Sequence, residues 1–416
     1  MQRDIAREWW FLRRDRLTVA TLIAAVLLAT LTIAIGLADV ASQKDTIAAL
    51  EASTIADLEN TLADQHDAGS AAYYGFRLVV SPPSALAFAA SGVRDELPWK
   101  HRIRSLALEG QIYENDAGNP ELVQLGRIDY AFLISVLAPL LVILMLHDVV
   151  DAERRQNRYD LLAVTAGSVR PLLRWRVLLR AVALATALLV PFVAAAVWSR
   201  AATADIVAIV AATLLYVLAW ASVALWVARR LPSATATAAT LLGGWTVFVL
   251  VIPLTAGALA ERTIDVPQGG ELLLQQREIV NRAWDLPQNA TMEAFDATHP
   301  EWAGQTITYE GFNWMWYYAF QQVGDQSVED ISTALRVGVR ERDAFMGRAA
   351  LLSPPLLIDR LFARLADTDI AAFQRYDRCV RDFHASLRKA HYPMLYGVEP
   401  FDVDKLLALD KTRTCS

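Results

Sequence analysis

Hydrophobic residues in this chain gather into runs instead of recurring at core spacing. Five runs stand out, at residues 18–37, 129–146, 177–197, 206–227 and 235–259. Each is roughly 20 residues long, enough to cross a hydrocarbon layer about 30 Å thick as a helix. None carries a charge in its central part. Pro139, Pro191 and Pro253 fall inside these runs, where lipid-embedded helices tolerate kinks. Small residues such as Ala208, Ala211, Ala212, Gly243 and Gly244 suit close helix contact. The pattern predicts an all-α polytopic membrane protein with about five transmembrane helices.

The polar stretches set its expected orientation. Residues 1–17 hold Arg3, Arg7, Arg13, Arg14 and Arg16, and their Trp9-Trp10-Phe11 suits a short interfacial helix. Arginines resist translocation, so the N-terminus is expected in the cytoplasm, with the loop 147–176 and Arg229-Arg230 on the same side. Residues 38–128 and 260–416 then lie outside, as two mostly helical extracytoplasmic regions. Residues 44–62 space Ala and Leu at helical intervals, so the first helix should continue out of the membrane. The stretches around 92–102 and 109–120 are turn-rich and alternate too little to predict a sheet. Further helices are expected within 270–284, 328–346 and 367–390, and residues 311–320 are densely aromatic. Residues 351–365 (LLSPPLLIDRLFARL) are too short and broken to cross, and suit a helix on the membrane surface or in a core.

Composition narrows the chemistry. The chain has 416 residues, 55% of them hydrophobic, and a formal net charge of -6, which argues against a nucleic-acid partner. Its two cysteines, Cys379 and Cys415, are too few for a disulfide scaffold and wrongly spaced for zinc, but could pair in an oxidising compartment. No nucleotide-cradling G-x-x-x-x-G-K-[ST] loop occurs, nor H-E-x-x-H, G-x-S-x-G or C-x-x-C. The six histidines are scattered. His384 and His391 sit seven apart without a supporting carboxylate or cysteine pattern, and His147 suits a helix cap better than a proton relay. No catalytic residue, metal ligand or bound cofactor is therefore assigned. The uncharged spans also disfavour an ion-coupled transporter.

The remaining signal is the short basic loop between the second and third runs. One reading makes it a coupling helix seated in an ATPase, with Glu153, Arg154, Arg155, Arg158 and Tyr159 at the contact. The other makes it a solvated connector whose arginines only fix topology. Composition alone leaves both open.

At this loop the chain resembles the permease subunits of ABC-2 type transporters. The features are Glu153, the polar Gln156-Asn157-Arg158, Asp160-Leu161-Leu162, and the basic entry from Arg170 to Arg176. The Gly-Thr that usually follows the acidic residue is absent. A closer resemblance is to the DUF3526 branch of that superfamily, carried by Tyr74-Gly75, Ser84-Ala85-Leu86-Ala87-Phe88, Pro98-Trp99-Lys100-His101-Arg102, Glu109-Gly110-Gln111, Leu352-Ser353-Pro354 and Ala366-Asp367-Thr368-Asp369. The resemblance implies a non-catalytic permease of the bacterial inner membrane, and the uncharged interior of the spans suits a hydrophobic or amphipathic cargo. It also implies a separate ABC ATP-binding subunit that holds ATP and Mg, and a second permease copy. The alternative is a membrane-anchored sensor or scaffold that binds a ligand or partner through its outer regions.

Overall fold

The computed structural model describes residues 2–114, 128–155, 169–304 and 311–415. Helix α1 (Gln2–Arg14) breaks at Asp15, whose carboxylate caps the next helix by accepting from Leu17 N at 3.2 Å and Thr18 Oγ1 at 2.7 Å. That helix, α2 (Arg16–Ala63), has 48 residues and is roughly 70 Å long. Its first half is apolar. Its second half, rich in Ala, Leu, Asp and Glu, carries on as a helix beyond the bundle.

Four more helices are long and apolar enough to span a membrane: α5 (Tyr130–Arg155), α6 (Arg170–Trp198), α7 (Thr203–Arg230) and α8 (Ala234–Thr263). Together with α2 they make the chain an all-α polytopic membrane protein. The core of the bundle is α5, whose Tyr130, Leu133, Ile134, Ala138, Val142 and Leu146 are buried among α2, α6 and α7. Helix α8 lies at the periphery, and only Thr237, Leu241 and Ala260 are buried along it.

Two of the spans carry a turn wound with i→i+5 spacing, at Leu133–Leu137 in α5 and Val247–Val251 in α8. Such a turn leaves carbonyls without their usual partners. Neighbouring side chains answer them: Tyr216 Oη donates to Ser135 O at 2.7 Å, Trp245 Nε1 to Val136 O at 2.9 Å, and Ser353 Oγ to Phe248 O at 2.6 Å.

The two polar excursions fold as one domain at one end of the bundle. Its elements are α3 (Ala68–Tyr74), β1 (Arg77–Val80), β2 (Lys100–Ile103), α4 (Leu108–Glu114), α9 (Gly269–Ala283), α10 (Gln288–Thr298), α11 (Trp314–Ser327), α12 (Glu329–Ala349), α13 (Pro354–Leu365), α14 (Ile370–Leu395), α15 (Val403–Leu407) and β3 (Thr412–Thr414). Strand order is β2-β1-β3. β1 is antiparallel to β2, with Arg77 opposite Ile103, and parallel to β3, with Leu78 opposite Thr412. The sheet is a correction to the sequence reading. β1 is buried on both faces, so it cannot alternate, and β3 is only three residues long.

Buried Arg77 fixes the chain's end against this sheet, donating to Asp410 O at 2.9 Å and Leu406 O at 2.8 Å. Burial lowers its guanidinium pKa to about 10. A disulfide joins Cys379 on α14 to Cys415, with Cα atoms 6.1 Å apart. One apolar core, holding Leu58, Leu62, Phe295, Trp316, Tyr318 and Tyr392, draws on both excursions.

Candidate functional site

Two constructions mark the ends of the bundle. At the basic end, α1 folds back along α6 with Leu12 buried and Trp9, Trp10 and Phe11 exposed. Arg14 lies over the Trp10 ring at 3.5 Å and Arg13 over Trp9 at 5.1 Å, an arrangement fitted to a lipid headgroup layer. The inward face brings Glu8 to Arg176.

Arg176 is the hub of this end. Its Nε meets Glu8 Oε2 at 2.8 Å and its Nη1 meets Glu153 Oε1 at 2.6 Å. One turn on, Arg180 pairs with Asp15 at 2.7 Å and donates to Met145 O at 2.8 Å. One cation thus ties the N-terminal helix to the last turn of α5, and a second ties the α1–α2 junction to the same helix. Asp151 continues the chain of contacts: it accepts from Ala234 N at 3.1 Å, capping α8, and pairs with Arg155 at 3.1 Å. Arg154 donates to Leu231 O at 3.0 Å in the α7–α8 turn. The segment 151–155 therefore touches the α7–α8 turn directly and, through Arg176, is tied to α6 and α1.

Of the five residues expected at a partner contact, Glu153 is turned inward and ion-paired, which corrects its expected place at the surface. Arg154 is half-buried against Leu231, and Arg155 is exposed. Arg158 and Tyr159 lie outside the described residues. The sequence reading missed Glu8, Asp15, Arg176 and Arg180 as participants. Their signal was acids set among the N-terminal arginines, and two arginines four apart on the face of α6.

At the other end the domain plugs the bundle. Four rings from four segments stack there. Tyr130 lies on Phe192 with centroids 5.1 Å apart, Phe362 of α13 follows at 6.2 Å from Tyr130, and Phe88 at 6.1 Å from Phe192. The 84–92 loop that brings Phe88 is held by Ser84 Oγ on Ala366 O, Thr368 Oγ1 on Ala90 O at 3.0 Å, and Val93 N on Thr368 O at 2.9 Å. Asp129 accepts from Ser91 N and Phe132 N at 2.9 and 2.8 Å, which caps α5 and anchors the loop together. Gly36 allows α2 to pass: a Cβ there would sit 2.1 Å from Phe88 O. Gly92, at φ +53°, turns the chain against Thr368. Helix α13 is not a surface helix alone, because Ile358 and Phe362 enter the bundle core.

Beside this plug opens an acidic cleft of about 1220 Å³, lined by Asp95, Glu96, Asp129, Asp343, Asp359 and Asp367 against Arg360, Arg364 and Arg375. Asp359 is open to the cleft yet hemmed in by protein. Its carboxyl is raised to about 6, first by desolvation and then by Asp129, with Arg360 opposing.

The other singled-out polar residues take structural places. His384 Nε2 hydrogen-bonds Leu106 O at 2.7 Å, and His391 Nδ1 hydrogen-bonds Leu387 O at 2.8 Å. His147 Nδ1 lies 3.1 Å from Leu144 O, at the end of the α5 apolar run. The Lys100-His101-Arg102 stretch spends its side chains on neighbouring rings. His101 is buried on Tyr376 Oη at 2.8 Å, with its pKa lowered to about 4 chiefly by burial, while Lys100 and Arg102 lie over Trp99 and Phe76. Among the described residues, no group of three or more His, Cys, Asp or Glu is arranged to hold a metal ion.

Residues 270–411 match the family model described as Domain of unknown function (DUF3526), so the chain carries a DUF3526 domain on a five-span membrane protein. The folded domain is larger than the matched segment, since its core and sheet also take in α2, α3, β1 and β2. No curated protein and no solved structure matches the chain.

Proposed function

We propose that this chain is the membrane-spanning, non-catalytic subunit of an ATP-driven exporter of ABC-2 type. Its basic end faces the cytoplasm of a bacterial inner membrane and its domain faces the periplasm. The concentration of arginines at one end of the spans supports that orientation. ATP and Mg belong to a separate ATP-binding subunit, and a second permease copy completes the complex. The cargo is hydrophobic or amphipathic.

The observation that carries the reading is the Glu8–Arg176–Glu153 brace. A partner pressing on the segment 151–155 moves a residue already ion-paired to α6 and, through it, to α1. Force applied at one short segment is thereby delivered to the span junctions as a unit. At the far end, the aromatic stack of Phe88, Phe192, Tyr130 and Phe362 closes the bundle where a cargo would leave.

The test is affinity purification of the tagged chain from its native membranes, with mass spectrometry and an ATPase assay. Wild type is expected to recover an ATP-binding subunit. Arg155→Glu, which alters an exposed residue beside the brace, is expected to reduce that recovery at unchanged expression. If wild type recovers no ATPase, the exporter reading fails and the sensor or scaffold reading takes its place.

A further inference from the structure

On the outside of the bundle, α6 and α7 leave a groove of about 800 Å³ between them at the basic end of the spans. Each wall is one stripe of a helix. Arg174, Val177, Leu178 and Ala181 recur at intervals of three and four along α6, and Leu218, Ala221, Leu225 and Arg229 do so along α7. The two helices are consecutive and antiparallel, so both stripes turn from apolar to basic at the same end. An arginine therefore stands on each side of the mouth. The apolar walls rise from it by roughly 10 to 17 Å, about the depth of one hydrocarbon leaflet.

Trp226 and Arg230 complete the mouth. The indole is 57% exposed and the guanidinium lies over its ring at 4.0 Å. An exposed indole at a span end belongs to the boundary between headgroups and acyl chains. Deeper in, Ser222 turns its hydroxyl back onto Leu218 O at 2.7 Å, so the wall there is apolar in effect. Exposed Val182, Leu215 and Val223 continue the apolar surface on the same two spans, which sets the groove against acyl chains. Neighbouring cations at this end are matched to acids: Arg176 to Glu8 and Glu153, Arg180 to Asp15, and Arg155 to Asp151. Arg176 and Arg180 turn inward, whereas Arg174 and Arg230 are exposed on the groove side.

We infer that this groove holds an anionic phospholipid, its phosphate among Arg174, Arg229 and Arg230 and an acyl chain along the walls. A guanidinium meets a phosphate diester with two parallel N–H donors, and basic pockets between spans suit anionic headgroups. A second copy of the chain fits the groove less well. In a two-fold pair the same patch meets itself, so arginines would face arginines. A free phosphate would use the mouth and leave the apolar walls bare. The inference depends neither on transport nor on which side of the membrane the basic end faces.

The full chain, delipidated in detergent, is titrated with phosphatidylglycerol and with phosphatidylcholine of the same acyl chains. Bound lipid is counted by native mass spectrometry. The first phosphatidylglycerol is expected to bind at least about tenfold more tightly than phosphatidylcholine. Arg174→Gln/Arg229→Gln/Arg230→Gln neutralises the mouth and should remove the preference with the helical circular-dichroism spectrum unchanged. Ser222→Trp, at an exposed position, keeps the three arginines and fills the groove, and should lower phosphatidylglycerol occupancy several-fold. Arg155→Gln, at the same end but outside the groove, should change neither result. Equal binding of the two lipids, a preference that survives the triple change or Ser222→Trp, or glycerol phosphate competing as well as the whole lipid overturns the inference. A shift from paired to single chains in the triple variant, with lipid binding intact, would assign the groove to a second copy instead.

Discussion

Removing the Arg176 guanidinium is the sharpest test of the brace. The side chains of Glu8 and Glu153 are only 1% and 6% exposed, and Arg176 is bonded to each of them at 2.8 and 2.6 Å. Arg176→Met keeps most of the apolar stem but leaves two buried carboxylates without their shared cation. Stranding one buried charge costs about 3–5 kcal/mol, and here two are stranded at one site. The loss should appear as a fall of several degrees in thermal unfolding of the solubilised protein. It should be nearly the same at low and high salt, because a buried pair is screened little. Adding Glu8→Gln and Glu153→Gln to Arg176→Met removes the stranded charges and should recover most of the loss, since neutral replacement of a buried ion pair is often benign. Two results would refute the reasoning: a single variant as stable as wild type, or a triple variant no better than the single. The second outcome would mean that packing along the arginine stem, and not charge, holds α1 to the bundle.

Three further outcomes follow from the geometry. The Cys379–Cys415 link closes 36 residues of separation, worth about 4 kcal/mol on the chain-entropy account; reductant or Cys415→Ser should lower the unfolding temperature, and a Cys415→Ser protein should then ignore reductant. Gly36→Val places a side chain on Phe88 O, and with backbone in the way the clash should cost at least about 2 kcal/mol and open the 84–92 loop to proteolysis. The Asp359 carboxyl is raised above its ordinary value, so the folded state holds its proton more tightly than the unfolded chain does. Its ionised form therefore opposes folding above about pH 6, and this penalty fades as pH falls towards the ordinary carboxylate range. Asp359→Asn should raise the unfolding temperature at pH 7.5 more than at pH 5, and an equal change at both would contradict the assignment.

The five spans were legible because lipid leaves a chain few choices: uncharged runs of about 20 residues must be helices. The continuation of α2 beyond the bundle was legible for the related reason that its Ala and Leu keep helical spacing after the charges begin. What escaped the reading was pairing across distance. Glu8 meets Arg176 across 168 residues, and β1 meets β3 across more than 330, so no local pattern announces either. Glu153 was misplaced because a short polar segment next to a span looks like surface, whereas an arginine from the next span had already claimed it. The aromatic density at 311–320 was plain, but its ring cluster also takes in Trp284, which arrives from the other side of α10. Residues that carried the family resemblance sit at this junction: Ser84 meets Ala366, Thr368 holds Ala90, and Ser353 caps α13 while reaching the i→i+5 turn of α8.

These placements bear on how a push at one end could be felt at the other. Helix α2 is continuous from Asp15, which is tied to Arg180, to Leu58 and Leu62 in the domain core. It runs as one uninterrupted α-helix without a proline or an i→i+5 turn, two of the usual causes of a sharp kink. Gly36 lies at its close approach to the Phe88 loop, so that contact is the natural fulcrum. A tilt of about 5° about such a point would carry the far end of a lever some 40 Å long by about 3 Å. That is the scale of one ring sliding off another in the Phe88–Phe192–Tyr130–Phe362 stack. If the proposed complex with an ATP-binding subunit forms, spin labels at exposed Ser53 and Arg174 would report the tilt as a change in their separation when ATP is added to it. An unchanged separation under turnover would mean that the spans move independently of α2 and that the brace only holds the N-terminal helix in place.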